Sequence, residues 1–159
     1  MEAAGFQPGS DTLEEIVDAG TVLVVLRTEQ AGLLVDQFRS VARRSGQAVY
    51  VWHPDQGLKS LREVEVRVPG CRRVGDTLRY VLQSMHFGIY LMTGVRGKFS
   101  AADHLLLRKL SRTPSEQVRR VVFLTDDDAV IQSLEDMATL LGGQAAGSRP
   151  RLRDGRWVV

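Results

Sequence analysis

The sequence contains one cysteine, three histidines and no long apolar run, and each scarcity excludes a class of protein. A single cysteine, Cys71, cannot form an internal disulfide. One cysteine and three dispersed histidines also argue against a zinc site. No apolar stretch reaches the roughly 18 to 20 residues that a membrane span needs. The N-terminus has neither the basic flank nor the apolar stretch of a signal peptide. These absences predict a cytoplasmic protein without a membrane span.

A surplus of basic charge is also missing from the body of the chain. The net charge is +2, yet the last eleven residues alone carry +3, from Arg149, Arg151, Arg153 and Arg156 against Asp154. A nucleic-acid binder usually has a basic face on its folded body. Nucleic acid is therefore not the expected partner, and the tail arginines are instead candidate contacts to a protein.

The remaining composition is sufficient for one hydrophobic core, because 43% of the 159 residues are hydrophobic. We predict three regions. Residues 1–20 form an acidic segment with a short helix, and residues 21–143 form a single α/β domain. Residues 144–159 form a linker and an Arg-rich C-terminal strand or hairpin, in which Asp154-Gly155 supplies the turn.

Apolar runs alternate with segments of helical periodicity through the predicted domain. The runs that predict strands are Thr21–Leu26, Ala48–Trp52, His86–Met92 and Val121–Leu124. Gly46 is expected to end the helix that follows the first of them. This alternation predicts a three-layer α/β sandwich with a predominantly parallel sheet, whose ligand site lies outside the carboxyl ends of the strands.

The last predicted helix follows an acidic turn at residues 126–128. Its apolar side chains recur at helical spacing through Val130, Leu134, Met137, Ala138 and Leu141. We therefore expect one amphipathic helix that reaches Leu141 and ends at the following glycine pair.

A different pattern precedes the third helix. Val64, Val66 and Val68 alternate with charged residues, which is typical of a half-exposed edge strand. Such an edge is a candidate seam for a homodimer.

The loop after the strand that ends at Met92 has the composition of an anion site. Its candidate ligand-binding residues are Gly94, Arg96, Gly97, Lys98 and Ser100. The glycines free the backbone, and the two cations lie beside a helix start that Ser100 can cap. The glycines are too close together for a Walker A loop, and Phe99 follows the lysine. A plain surface turn explains the same residues.

Three acids at strand ends form a second candidate constellation. Glu29 follows the first strand, and Asp126 and Asp128 follow a later one. Their arrangement resembles the carboxylates of Toprim-type phosphodiester enzymes, which implies catalytic and Mg²⁺-binding roles for these three residues. The alternative is that one acid caps the helix and the others are solvated.

Four stretches together resemble a known family: VLVVLRTEQ, VYVWHPDQGL, FGIYLMTG with the helix LLLRKL, and VVFLTDDDAV. The chain resembles the N-terminal domain of bacterial and plastid AAA+ ATPases from Thr21 to about Leu141. Trp52 and the Gly57-Leu58 pair are the most distinctive matches, whereas Ser111 replaces the second arginine of the family's Arg-x-Leu-Arg helix. The resemblance implies a Rossmann-like or P-loop-like fold without its own ATP site.

Three functions follow as hypotheses. The first is a non-catalytic interaction or regulatory domain without a cofactor, in which Trp52, His53 and the tail arginines contact a protein partner. The alternative for Trp52 is a core position, which is more common for a tryptophan at a strand end. The second is a sensor of a small ligand, nucleotide or anion at the strand carboxyl ends. The third is the Mg²⁺-dependent phosphodiester enzyme. Because no Walker A motif is present, ATP hydrolysis is not expected.

Overall fold

The alternating apolar and amphipathic segments form a regular succession of strands and helices. The computed structural model describes residues 10–142. No helix within this range is long and apolar enough to cross a membrane. In chain order the elements are α1 (Ser10–Asp18), β1 (Leu23–Arg27), α2 (Ala31–Ser45), β2 (Val49–His53), β3 (Gly57–Ser60), β4 (Arg67–Val68), α3 (Val74–Gln83), β5 (Gly88–Met92), α4 (Ala101–Arg112), β6 (Arg119–Thr125), α5 (Asp128–Leu134) and β7 (Ala138–Leu141).

The described strands pair into one sheet in the order β4-β3-β2-β5-β6-β1-β7. The five strands from β2 to β7 in this order run parallel. Strand β3 turns back antiparallel to β2, and β4 pairs antiparallel with β3. Both predictions, of the α/β class and of a predominantly parallel sheet, are confirmed.

Helices cover both faces of the sheet and create two cores. On one face, Leu13 and Ile16 of α1 and Phe38 of α2 pack on the sheet. On the other face, side chains of α3, α4 and α5 pack around Phe123. The rings of Phe123 and Phe99 pack edge to face, with their centroids 5.6 Å apart. The central strands are buried on both sides, which explains their continuous apolar sequence. The predicted three layers are therefore confirmed.

The acidic first helix is fixed to the start of β6 by an arginine. The guanidinium of Arg120 donates to the carbonyl oxygens of Ile16, Val17 and Ala19 at 2.9, 2.7 and 2.9 Å. These carbonyls lie at the C-terminal end of α1, where a positive charge also interacts favourably with the negative end of the helix dipole. Helix α1 therefore packs as an integral part of the sandwich.

The helix predicted up to Leu141 is wrong in its second half. Helix α5 covers only Asp128–Leu134, and Ala138–Leu141 form β7 beside β1. The Thr139 amide also donates to the Thr21 hydroxyl at 3.1 Å. Pairing with β1 satisfies backbone groups that would otherwise form an open sheet edge, and this gain outweighs the helical spacing of the side chains.

The opposite edge is shorter than the predicted strand over residues 64–68. Only Arg67–Val68 pairs, as β4, and its partner is β3. Glu65 interrupts the strand because its φ of +65° is left-handed. Val64 and Val66 are consequently exposed on the turn between β3 and β4.

Candidate functional site

Four loops meet at the carboxyl ends of the parallel strands. They comprise residues 27–30 after β1, 53–56 after β2, 93–100 after β5 and 125–128 after β6. We call them together the carboxyl-edge surface. Neighbouring β1 and β6 lead to helices on opposite faces of the sheet, so the topological switch point lies between them. Ligands of open α/β sheets bind at such a point.

An ion pair spans the switch point. The Nη2 atom of Arg27 lies 2.7 Å from Oδ1 of Asp128, and the Thr28 amide donates to the Thr125 carbonyl oxygen at 3.1 Å. Both charged side chains are exposed, so the pair contributes at most about 1 kcal/mol to stability. Its effect is geometric, because it holds the loops after β1 and β6 together.

The three acids of the predicted metal site do not form a metal-binding group in the described residues. Asp128 pairs with Arg27, whereas Glu29 and Asp126 are exposed in the loops after β1 and β6. Within residues 10–142, no three His, Cys, Asp or Glu side chains are grouped so that they can hold a metal ion.

Asp127, which was not among the candidate residues, makes the most contacts of the acidic turn. Its Oδ1 accepts the Ala129 amide hydrogen and its Oδ2 accepts that of Gly97, both at 2.9 Å. Its own amide donates to the Thr125 hydroxyl at 3.0 Å. Asp127 is therefore the N-cap of α5 and also joins this helix to the loop after β5. The available sequence signal was its position just before the first helical residue.

These hydrogen bonds lower the pKa of Asp127 below its ordinary value of 3.8. The Gly97 amide is the largest cause, followed by the Ala129 amide, and Arg96 adds a smaller Coulombic attraction. A backbone amide donates its hydrogen to a carboxyl oxygen, and this hydrogen bond is stronger when the carboxyl group is ionised. The amides therefore favour the ionised carboxylate. The folded state therefore binds this proton less tightly than the unfolded chain does.

Replacing Asp127 with asparagine is expected to lower the melting temperature at pH 7. The depressed pKa means that the stabilisation is complete above the unfolded pKa, near 3.8, and is lost as the pH falls through the lower folded value. The difference in melting temperature between wild type and variant should therefore shrink below pH 3.8. Thermal unfolding followed by circular dichroism measures it, with exposed Asp126→Asn as control. A difference that stays constant with pH would contradict a role for the charge.

The loop after β5 is also fixed to the end of β2. The amide and hydroxyl of Thr93 both donate to the Trp52 carbonyl oxygen, at 2.9 and 2.8 Å. Gly94 follows with φ +74° and lies so close to Pro54 and His53 that it has no space for a side chain. Trp52 itself is only 3% exposed, and its indole Nε1 donates to the Cys71 carbonyl oxygen.

Burial of Trp52 corrects its assignment as an interaction candidate. A side chain in the core contributes packing, not contact with a partner. His53 remains accessible at the strand end. The other interaction candidates, Arg149, Arg151, Arg153 and Arg156, lie outside the described residues.

The predicted anion loop already meets a carboxylate of the same chain. The Gly97 amide donates to Asp127, and Ser100 caps α4 by accepting the amide hydrogen three residues later at 3.0 Å. Arg96 and Lys98 are exposed, and their side chains donate no hydrogen bond to this carboxylate. The loop thus offers two accessible cations on a fixed backbone.

An open cleft of about 550 Å³ adjoins the carboxyl-edge surface between the start of α2 and the turn after β2. Its charged side chains include Arg39, which pairs with Asp36 at 2.6 Å, and Lys59, which donates to Gln56 at 2.6 Å. The full lining is Ala31, Gly32, Val35, Asp36, Arg39, Val51, His53, Gln56, Gly57, Lys59, Thr93 and Gly94.

The fold and the site define a class: a mainly parallel α/β sandwich of the P-loop-like type that has no Walker A loop at its switch point. A family model for the N-terminal domain of SpoVK-like AAA ATPases matches residues 9–142. Because this match spans most of the chain, the chain belongs to that family. The predicted relation to AAA+ N-terminal domains is thereby confirmed, and the matched region extends to α1. No curated protein and no solved structure gave a match.

Proposed function

We propose that this AAA ATPase N-terminal domain is a non-catalytic recognition module that docks a protein partner through its carboxyl-edge surface. The observation that supports the proposal is that contacts between loops join all four parts of this surface. Arg27–Asp128 joins the loops after β1 and β6, and the Gly97–Asp127 hydrogen bond joins those after β6 and β5. The close approach of Gly94 to Pro54 joins the loops after β5 and β2.

Such cross-linking favours binding because a pre-organised surface loses little conformational entropy when a partner docks. The exposed groups on it carry both signs of charge: Glu29, Asp55, Arg96, Lys98 and Asp126. A mixture of separated charges suits recognition of a protein more than of a polyanion. Two of the three acids in the turn after β6 are meanwhile committed to internal contacts, Asp127 to amides and Asp128 to Arg27.

A cytoplasmic location is part of the proposal. The lone thiol of Cys71 is free and buried, and burial raises its pKa above the ordinary value. An unpaired cysteine without a disulfide framework is typical of a reducing compartment.

Site-specific photo-crosslinking tests the docking surface. A photoreactive residue in place of Lys98 is expected to capture a protein that the same residue in place of Lys109 does not, because Lys109 is exposed on α4 away from the surface. Once that protein is purified, Arg96→Glu with Lys98→Glu should weaken its binding at least tenfold, about 1.4 kcal/mol.

Two results would contradict this assignment. One is equal capture from both lysine positions, and the other is unchanged affinity of the double variant.

A separate thermal-shift screen with nucleotides and phosphate-bearing metabolites addresses the sensor hypothesis. A ligand at a hundred times its dissociation constant stabilises the fold by about 2.7 kcal/mol, and its loss with Lys59→Ala would favour a sensor at the cleft.

A further inference from the structure

Charge is divided between the two edges of the sheet, although residues 10–142 carry equal numbers of basic and acidic side chains. The segment 57–73 contains β3, β4 and their turns. It carries two acids, Glu63 and Glu65, against five bases, which are Lys59, Arg62, Arg67, Arg72 and Arg73. We call this side the basic edge.

The opposite side has the reverse charge. Segment 126–142, which contains α5 and β7, has no lysine or arginine and five acids: Asp126, Asp127, Asp128, Glu135 and Asp136. Asp128 and Asp136 are paired, with Arg27 and Arg108. Helix α1 contacts β6, whereas α2 contacts β2, so α1 lies towards this side. It adds four acids and no base, namely Asp11, Glu14, Glu15 and Asp18. We call this side the acidic edge.

Each edge also exposes apolar side chains. Val64 and Val66 are 66% and 42% exposed on the basic edge, and Leu140 is 48% exposed on the acidic edge. The turn that carries the valines is fixed, because the Ser60 hydroxyl accepts the amide hydrogens of Arg62 and Glu63 at 3.1 Å and the Ser60 amide donates to the Val66 carbonyl. An ordered apolar contact surrounded by charge is a favourable interface centre.

We propose that copies of this chain associate head to tail, with the basic edge of one copy against the acidic edge of the next. The two edges differ, so the interface is heterologous and each copy retains one free edge for a further neighbour. Strands β4 and β7 point in the same direction, since β4 reverses twice from β2. A neighbour that continues the sheet therefore places its carboxyl-edge surface on the same side of the assembly.

This inference extends beyond the proposed docking function, because it uses the sheet edges, which share only Asp126, Asp127 and Asp128 with the carboxyl-edge surface. Aligned copies would present that surface repeatedly, which raises avidity for a repeated partner without any new contact. The substitutions that test self-association, at Val64 and Leu140, lie outside the carboxyl-edge surface, so either process is testable without the other.

The test uses the full chain and two polar substitutions, Val64→Asp on the basic edge and Leu140→Lys on the acidic edge. Sedimentation equilibrium should show a mass that rises with concentration for wild type, and that falls in about 1 M salt, where the Debye length is about 3 Å. Each variant alone should associate at least tenfold more weakly. An equimolar mixture should form a one-to-one complex, because the Asp variant keeps its acidic edge and the Lys variant keeps its basic edge.

Matched controls place the same substitutions at exposed apolar residues elsewhere, as Leu105→Asp and Met85→Lys, and both should associate like wild type. Glu135→Lys, in an exposed turn, provides a second acidic-edge variant if Leu140→Lys does not fold. Monomeric behaviour of wild type at all concentrations would overturn the proposal, and so would a mixture that remains monomeric.

Discussion

Replacing Arg119 with methionine is expected to lower the free energy of unfolding by about 3 kcal/mol. Arg119 is 3% exposed, and its guanidinium donates to the carbonyl oxygens of Val81, Leu82 and Thr113 at 2.9, 3.0 and 3.2 Å. These carbonyls belong to the last turn of α3 and to the residue after α4. One arginine at the start of β6 thus satisfies the ends of two helices on the same face.

The magnitude follows from two opposing effects. Each buried carbonyl left without a donor costs about 1 to 3 kcal/mol. Removing a buried charge recovers part of its desolvation cost, and the Nε–H of Arg119 has no hydrogen-bond partner within the described range. The carbonyl cost prevails because at least Leu82 and Thr113 lose a donor that methionine cannot replace.

Chemical denaturation and thermal unfolding measure this change. A loss of about 3 kcal/mol corresponds to a fall of roughly 6 to 12 °C in melting temperature for a domain of this size. The control is Arg112→Met, an exposed position on α4, which should remain within about 0.5 kcal/mol of wild type. If Arg119→Met were as stable as wild type, the three carbonyls would have other partners and the capping role would be wrong.

Replacing Gly94 with alanine is expected to cost about 3 kcal/mol as well, for a different reason. A Cβ atom at this position would lie 2.7 Å from Cδ of Pro54, and the backbone φ of +74° disfavours any side chain. Positive φ costs alanine about 1 to 2 kcal/mol, and overpacking against a rigid ring adds typically 1 to 3 kcal/mol. The loops after β5 and β2 would have to separate.

Gly97→Ala provides the matched control in the same loop. Its φ is also +74°, yet no atom lies within 4 Å of an added Cβ. This variant should therefore show only the backbone term of about 1 to 2 kcal/mol. Equal losses for both glycines would contradict the close contact with Pro54, and with it one of the three contacts between loops that support the proposed docking surface.

Local sequence signals predicted the elements whose residues act through their nearest neighbours. The apolar runs became β1, β2, β5 and β6 with boundaries shifted by at most two residues. Gly46 ends α2 in the left-handed conformation at φ +77°, and Ser100 caps α4, both as predicted. These features depend on periodicity and on hydrogen bonds between residues a few positions apart. Both can therefore be predicted from a short stretch of sequence.

The candidate site was less accessible to the same reasoning. Sequence spacing identified the acidic turn and the glycine loop, but not the Asp127–Gly97 hydrogen bond that joins them across 30 positions. It also left open whether Trp52 contacts a partner or packs in the core, and the structure buries this side chain, whose indole donates to the Cys71 carbonyl oxygen. Whether a side chain at a strand end is exposed depends on elements that arrive later in the chain.

The sequence by itself determined the α/β class, the parallel core strands and the membership of the AAA ATPase N-terminal family. Tertiary structure alone decided that residues 138–141 form β7, and that opposite charges collect at the two sheet edges. The physical reason is that helical spacing and strand pairing compete for residues 138–141. An unpaired edge of β1 supplies backbone hydrogen bonds that no local pattern contains, and these outweigh a local preference of a few tenths of a kcal/mol per residue, about the scale of helix propensity.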